Sequence, residues 1–414
     1  LMRRLWRRRS RKPASRYLSV LDLGAFAVKA LVIECSGDRA TILGRGSATH
    51  RGGIAADCTI GDARALETAC ERALTQAEDG TEAVRGRKVV PDAAAIAVPT
   101  AWVRGALGSG RVLRPNLEDG VTAQECIEPL LSAGRQAMRR VGRVTRGGEW
   151  ELLDATVVTF SIDGHRVTDP VGFRGHSLEA TVLVLAVPSR LVAALRSTAD
   201  KLQLEPPALV AEPLALAAAS PGDGLIIQVG ALTTALVLSR YGAPVSFASI
   251  CQGGAAFAKA LGEAIGVSTD RADVMLRGFA LGQLSDSDRS RVEAALGESL
   301  LRWLSSMIES LRSWTEIPGE WPPFIHLCGG VSRLGALGRA VAQTRWLEAL
   351  PFPFTPQVKT WDGSNVEQVL DRTNRRWQLD GLTTLSLAAW ALRDRGPSTR
   401  DGILRASLDI TPTL

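Results

Sequence analysis

Three glycine turns carry the residues of this chain that could handle a phosphate. The first is Asp22-Leu23-Gly24-Ala25-Phe26-Ala27-Val28-Lys29, the second Gln228-Val229-Gly230-Ala231-Leu232-Thr233-Thr234-Ala235, and the third Gly329-Gly330-Val331-Ser332-Arg333-Leu334-Gly335. A phosphate is held by backbone N–H groups converging in a concavity, and glycine lets the main chain come that close. Asp22 could hold Mg²⁺ through water, Lys29 could meet a phosphate, and the hydroxyls of Thr233, Thr234 and Ser332 could contact one. Read singly, each turn has a structural explanation as well. Asp22 suits an Asx turn, Lys29 is as readily a strand-edge charge, and Thr233 and Thr234 are equally plain strand residues. The order and spacing of the turns are the informative part.

The elements that must position these turns follow from hydrophobic patterning. Tyr17 to Leu23 and Val28 to Glu34 are β-rich runs on either side of the first turn, and Ala40 to Gly46 is a third. Asp62 caps a helix whose Leu66, Ala69, Ala73, Leu74 and Ala77 keep helical spacing, and Ala93 to Val98 is another strand. From Pro99 to about Val187 the pattern changes to strand-like runs, one helix opening on the capping box Thr122-Ala123-Gln124-Glu125, and a hairpin turn at Asp163-Gly164. This stretch reads as a separate α+β insert. Leu225 to Ser239 then gives two buried strands around Gly230, repeating the strand, glycine turn, strand arrangement seen at Asp22. The long helix over 292 to 314 is striped by Leu296, Leu300, Leu304, Met307, Leu311 and Trp314, a core face. Phe324 to Leu327 is a short strand running into the third turn, and Leu334 to Leu350 is helical by pattern.

Composition excludes several function classes. With 414 residues, 45% hydrophobic and 22% charged, the chain supports large cores and is neither disordered nor a single small domain. The formal charge of +6 comes from one end, because residues 1 to 16 hold seven Arg and Lys12 with no acid, leaving the body near neutral. A basic arm with Leu5 and Trp6 interleaved suits an anionic lipid surface and, as readily, a solvated tail. No apolar run is long enough for a membrane span or a signal-peptide core, and the six Cys and four His form no metal-ligand spacing, which fits a reducing cytoplasm.

With Ala211-Glu212-Pro213-Leu214-Ala215 ahead of the second turn and Gly253-Gly254 behind it, the chain resembles the actin-like ATPases, and within them the FtsA and PilM families, over about residues 17 to 392. The most specific stretch is Ile162-Asp163-Gly164 followed by Asp169-Pro170-Val171-Gly172-Phe173-Arg174-Gly175-His176-Ser177-Leu178-Glu179-Ala180, which looks like the end of the 1C subdomain that these families carry. The resemblance implies an α/β, actin-like (ribonuclease H-like) duplicated two-lobed fold with an inserted α+β 1C (SHS2-type) subdomain. The divisions expected are a basic disordered arm over 1–16, a first part of the first lobe over 17–98, the insert over 99–187, and a second part of the first lobe over 188–221. The second lobe then covers 222–394, with IIB inserted at about 262–320, and a C-terminal tail covers 395–414.

The same resemblance implies ATP and Mg²⁺ as cofactors. Asp22 would reach the metal through water, and Glu212 would orient the attacking water as the catalytic residue. Gly24, Lys29, Gln228, Gly230, Thr233, Thr234, Gly253, Gly254, Gly329, Gly330 and Ser332 would line the nucleotide. Taken alone, Glu212 would be a surface helix acid. The chain departs from the family at several points. The hydroxyl position of the first hairpin is Ala25, followed by bulky Phe26, and the expected Asp-x-Gly-Gly-Gly-Thr-Thr-Asp is replaced by Gln228 to Ala235, with two acids and two glycines gone. Ala272-Asp273-Val274-Met275-Leu276 stands where relatives show Ala-Glu-x-x-Lys, so a ribose or base contact is also in question. Phosphoryl transfer rests on positioning and charge neutralisation, so these losses predict a poor ATPase or a pseudo-ATPase in which nucleotide binding itself is in question.

Three functions compete on this reading. One is an FtsA-like cytoplasmic adaptor in bacterial cell division, peripheral on the inner face of the membrane. It would bind a polymerising partner such as FtsZ, self-associate in actin-like fashion, and contact anionic membrane through residues 3–16. The second is a PilM-like scaffold of type IV pilus assembly that docks the tail of an inner-membrane protein. The third, which the eroded second hairpin disfavours, is an active ATPase of the actin and heat-shock superfamily. None involves nucleic acid.

Overall fold

The structure, a computed structural model, describes residues 16–55, 59–116, 118–145, 148–314, 317, 320–348, 350–374, 381–393 and 399–410. Residues 1–15 of the basic arm and Cys58 lie outside these, while Arg16, assigned from sequence to the arm, opens the first strand.

The chain opens with β1 (Arg16–Leu23), β2 (Ala27–Ser36) and β3 (Arg39–Thr49), followed by α1 (Ala63–Gly80), the one-turn α2 (Glu82–Arg85) and β4 (Ala94–Val98). Asp62 caps α1 by accepting from Ala65 N–H. The insert follows as β5 (Arg104–Leu113), α3 (Ile127–Val144), β6 (Trp150–Ile162), β7 (His165–Val167) and β8 (Ser177–Pro188). Then come α4 (Ser189–Lys201), β9 (Ala208–Ala211) and α5 (Glu212–Ala219). The second half repeats the plan with β10 (Gly224–Val229), β11 (Thr234–Arg240), β12 (Ala243–Ile250), α6 (Gly254–Ile265), α7 (Thr269–Ala280), α8 (Asp286–Arg312), β13 (Phe324–Cys328), α9 (Gly335–Val341), α10 (Thr344–Leu347) and β14 (Gln357–Thr360). The chain ends with β15 (Val369–Asp371), α11 (Leu382–Trp390) and α12 (Arg400–Ser407).

The duplication is explicit in the sheets. The first runs β15-β3-β2-β1-β4-β9 and the second β12-β11-β10-β13-β14. Each is an antiparallel three-strand meander whose first strand also pairs in parallel with a later one, β1 with β4 and β10 with β13. Strands buried on both faces need near-continuous apolar runs, which is how β4 reads throughout and how β1 and β10 read apart from Arg16, Ser19, Asp22 and Gln228. Between the sheets lie two short apolar helices packed on each other: α11, whose nine residues are all buried, against the first sheet, and α5 against the second.

The insert forms its own four-stranded sheet, β5-β8-β6-β7. Asp163 and Gly164, both with positive φ, make the two-residue turn between β6 and β7. The Thr122 to Glu125 box closes reciprocally, with Glu125 N–H donating to Thr122 Oγ1 and Thr122 N–H to Glu125 Oε2, but in the turn ahead of the helix: α3 itself starts at Ile127 behind Cys126, with no side-chain cap. These bonds, with Arg114 beside it, pull the Glu125 carboxyl down to about 2. Leu130, Ala133, Gly134, Ala137 and Val141 of α3 cover one face of this sheet and build a core separate from that of the two lobes.

Residues 399–410, read from sequence as part of a tail, complete that second core. Leu404 is fully buried in it, and Ile410 joins it. Arg405, buried, donates from Nε to buried Asp154 on β6 at 2.7 Å. Asp401 accepts from Val157 N–H (2.8 Å) and Thr156 Oγ1 (3.1 Å), giving the β6 edge beyond β7 a side-chain partner in place of a strand. The apolar side of α12 is therefore spent inside the protein.

Candidate functional site

The carboxyl ends of the parallel strands in each sheet face one another, where open α/β sheets place their ligands. Glu212 follows β9 as the first residue of α5, and its partner strand β4 runs into Thr100. Gln228 sits near the end of β10, in register with Cys328 of β13. These residues meet. Glu212 Oε2 accepts from Thr100 N–H (2.9 Å) and Thr100 Oγ1 (2.8 Å), while Oε1 accepts from Gln228 Nε2 (2.7 Å) and, at 3.4 Å, from Thr383 Oγ1 on α11. Gln228 Nε2 also donates to Thr383 Oγ1 at 3.0 Å. A carboxylate has about four acceptor sites, and protein donors take all of them. Glu212 is only 9% exposed, so the surface-acid reading fails: its charge sits in the molecule's interior, satisfied by hydrogen bonds. Beside it the fully buried Cys328 thiol is pushed well up, first by burial and then by the Glu212 charge.

The first hairpin places Asp22 directly across from Lys29, their charged atoms 3.8 Å apart. Gly24 O accepts from His50 Nε2 at 2.9 Å. At the tip, Phe26 is 45% exposed and lies under the Arg277 guanidinium of α7, 4.4 Å from the ring centroid. Arg277 is held in place by Asp273. The bulky residue that follows Ala25 in the first turn thus reaches the opposite lobe.

The second hairpin is closed by Gly230 N–H donating to Thr233 O (2.8 Å). The opening N–H groups of α6, which a phosphate could have used, are already occupied: Gly254 N–H donates to Gly230 O (2.9 Å) and Ala255 N–H to Ala231 O (2.8 Å). Gly253 presses on the hairpin so closely that a Cβ there would fall 2.5 Å from Gly230 O. Thr234 is fully buried, with its hydroxyl donating to Gln252 O (2.7 Å) and accepting from Trp303 Nε1 (2.9 Å). Thr233 stays half-buried in the turn.

At the third turn Gly329 adopts φ +90° against Val229 O, where a side chain would collide, and Gly330 opens a short 3₁₀ turn. Ser332, buried, donates its hydroxyl to Gly329 O at 2.7 Å. Val331 of this turn touches Gly254, so the second and third turns and the start of α6 form one cluster.

The sequence candidates fall into two groups, one per lobe. Asp22, Gly24 and Lys29 belong to the first hairpin; Gln228, Gly230, Thr233, Thr234, Gly253, Gly254, Gly329, Gly330 and Ser332 to the second lobe. Glu212 to Gln228 and Phe26 to Arg277 connect the two groups. Sequence reading missed Thr100, Thr383, His50, Trp303 and Arg277. The only sequence signal for Thr383 is a pair of threonines in a largely apolar helix. Among the described residues no group of three or more His, Cys, Asp and Glu could hold a metal ion.

No family model matches the chain. The cell division protein FtsA of Neisseria meningitidis serogroup B (strain ATCC BAA-335 / MC58) is 26% identical over 266 residues, which are 62% of this chain and 60% of that protein, so the chain spans well under two thirds of this curated relative. Among solved structures, one from the PilM-PilN type IV pilus biogenesis complex superposes with a TM-score of 0.63 at 18% identity, covering 91% of this chain and 99% of that one. The ethanolamine utilization protein EutJ of Carboxydothermus hydrogenoformans is a looser likeness, with a TM-score of 0.46 at 12% identity over 91% of this chain and 90% of that one. The chain therefore has the fold of the PilM structure and is similar in sequence to FtsA over about three fifths of its length.

Proposed function

We propose that this protein is a scaffold that works by binding other proteins and does not turn over ATP. The observation that carries this reading is Glu212: the carboxylate that would orient an attacking water has every acceptor site filled by Thr100, Gln228 and Thr383. The residues present do not fit Mg-ATP. Asp22 is paired with Lys29, Gln228 brings no charge, the α6 N–H groups are bonded to the second hairpin, and Phe26 crosses the mouth of the cleft.

The similarity to FtsA, a cell division protein, favours an adaptor in cell division; on this reading it joins a tubulin-like polymer to the inner face of the membrane, and residues 3–16 are its membrane contact. A PilM-like scaffold is the second reading, favoured by α12, whose apolar side is buried in the insert where a membrane-seeking helix would leave it free. No helix among the described residues is long and apolar enough to cross a membrane. Co-sedimentation with the two partner types separates them. Pelleting with a tubulin-like division polymer, equally with and without Mg-ATP, supports the first. Capture by the cytoplasmic tail of a pilus inner-membrane protein moves the assignment to the second, and partner binding that requires ATP overturns the scaffold reading.

A further inference from the structure

The cleft has a floor and a mouth, and each is bridged by side chains from both lobes. At the floor, Thr100 and Glu212 stand at the ends of β4 and β9 of the first sheet, Gln228 near the end of β10 of the second, and Thr383 on the buried helix between them. The orientation of the Gln228 amide follows from its surroundings. Nε2 meets the Glu212 carboxylate at 2.7 Å and Thr383 Oγ1 at 3.0 Å, whereas the flipped amide would set a carbonyl oxygen against a carboxylate. The other amide atom, Oε1, is buried with no partner among the described residues, so the side chain is held by its donor end alone. A hydrogen bond to a buried carboxylate is among the stronger neutral-to-charged contacts a protein makes.

An acid at position 228 would put two carboxylates in contact in the interior, a state that needs a cation or a proton between them. The amide removes that requirement. We infer that Gln228 does the work of a metal ion: its N–H group bridges to Glu212 and ties the two lobes together with no ligand in the cleft. At the mouth, Phe26 under Arg277 adds a second tie, and on the far side Arg166 of the insert stacks on Tyr241 in the turn between β11 and β12. Closure is therefore set by the chain itself, and the lobes do not open and close with nucleotide or divalent cation. This inference rests on the reading of the cleft as one that no longer takes Mg-ATP.

The full chain tests it through a charge swap. Gln228→Glu keeps the shape and restores the second acid. In excess EDTA its unfolding midpoint falls by roughly 3 to 6 °C, as expected for an uncompensated buried charge in a protein of this size. Excess Mg²⁺ restores most of the loss. In the double variant Glu212→Gln/Gln228→Glu the amide and the carboxylate exchange places. The amide now at position 212 accepts from Thr100 and donates to the carboxylate now at position 228, so the midpoint returns to within about 1 °C of wild type in EDTA. Wild type is indifferent to both additives. The inference is overturned if Gln228→Glu matches wild type in EDTA, if Mg²⁺ leaves it unchanged, or if the double variant is no more stable than the single. If Gln228→Glu does not fold, the double variant alone decides: folding in EDTA supports the bridge and failure overturns it. ATP binding by wild type would sink the scaffold reading, and the swap would still measure the bridge.

Discussion

The two hairpins of the duplicated fold share a topology and differ in what they do with their polar groups. The β1–β2 hairpin keeps its acid, neutralises Asp22 with Lys29 across the strands, and extends Phe26 to Arg277 of the other lobe. The β10–β11 hairpin carries Gln228 where the first carries Asp22, with its turn carbonyls taken by the first N–H groups of α6 and its Thr234 hydroxyl by Gln252 and Trp303. Strand register is held by many backbone bonds and survives the exchange of a few side chains. A phosphate site depends on those few side chains and on N–H groups left free. In this chain Asp22, the Gln228 amide N–H and the turn carbonyls of Gly230 and Ala231 are all engaged by the protein.

Perturbations should separate regions whose charge is satisfied internally from those whose charge reaches across the cleft. Two effects of comparable size come first, one outside the cleft and one within it. Arg405→Ala leaves Asp154 without its buried cation and is expected to cost roughly 3 to 5 kcal/mol in the insert. Chemical denaturation would read the loss, and proteolysis should release residues 399–410 first while the two lobes stay protected. In the cleft, Glu212→Ala strands the donors of Thr100 and Gln228, at about 1 to 3 kcal/mol for each buried group left unmade. Hydrogen exchange at the Thr100 amide is the direct readout, and unchanged protection there would contradict the bonding described.

A third effect is pH-dependent and belongs to the second lobe. His326 is 4% exposed, packs between Phe324 and Trp361, and burial pulls its pKa down to about 4, with Lys359 adding to the shift. The folded state binds fewer protons than the unfolded one below the ordinary histidine value, so the stability contributed by neutral His326 is present above about pH 6.5 and is lost as pH falls toward 4. His326→Phe should flatten thermal stability across that window; an unaltered profile would place the pH dependence elsewhere. The smallest effect is at the tip. Phe26→Ala removes a cation–π contact worth about 0.5 to 1 kcal/mol and should raise exchange in the hairpin without moving the global midpoint by more than a few degrees.

The strands and hairpins were legible in the sequence because central strands write themselves as unbroken apolar runs and because Asp163-Gly164 and the Thr122 to Glu125 box have local signatures. The Glu212 cluster was not. Its partners lie 112, 16 and 171 residues away along the chain, and nothing local to Thr100 or Thr383 announces a shared acceptor. The segment at 399–410 read as a tail because its few apolar residues look too sparse for a helix face. Leu404 and Ile410 suffice only because β6 and α3 supply the rest of the core. Substitutions such as Gln228 and Phe26 were visible as departures from a pattern, and only the three-dimensional arrangement gives each a partner.

Isothermal titration of wild-type protein with ATP in excess Mg²⁺ tests the central claim most directly. A cleft closed by its own side chains gives no saturable heat and no shift of the unfolding midpoint at millimolar nucleotide. Micromolar binding would stabilise the folded state by about 4 kcal/mol at a thousandfold excess over Kd, and finding it would show that Glu212, Gln228 and the α6 N–H groups exchange their present partners for a ligand.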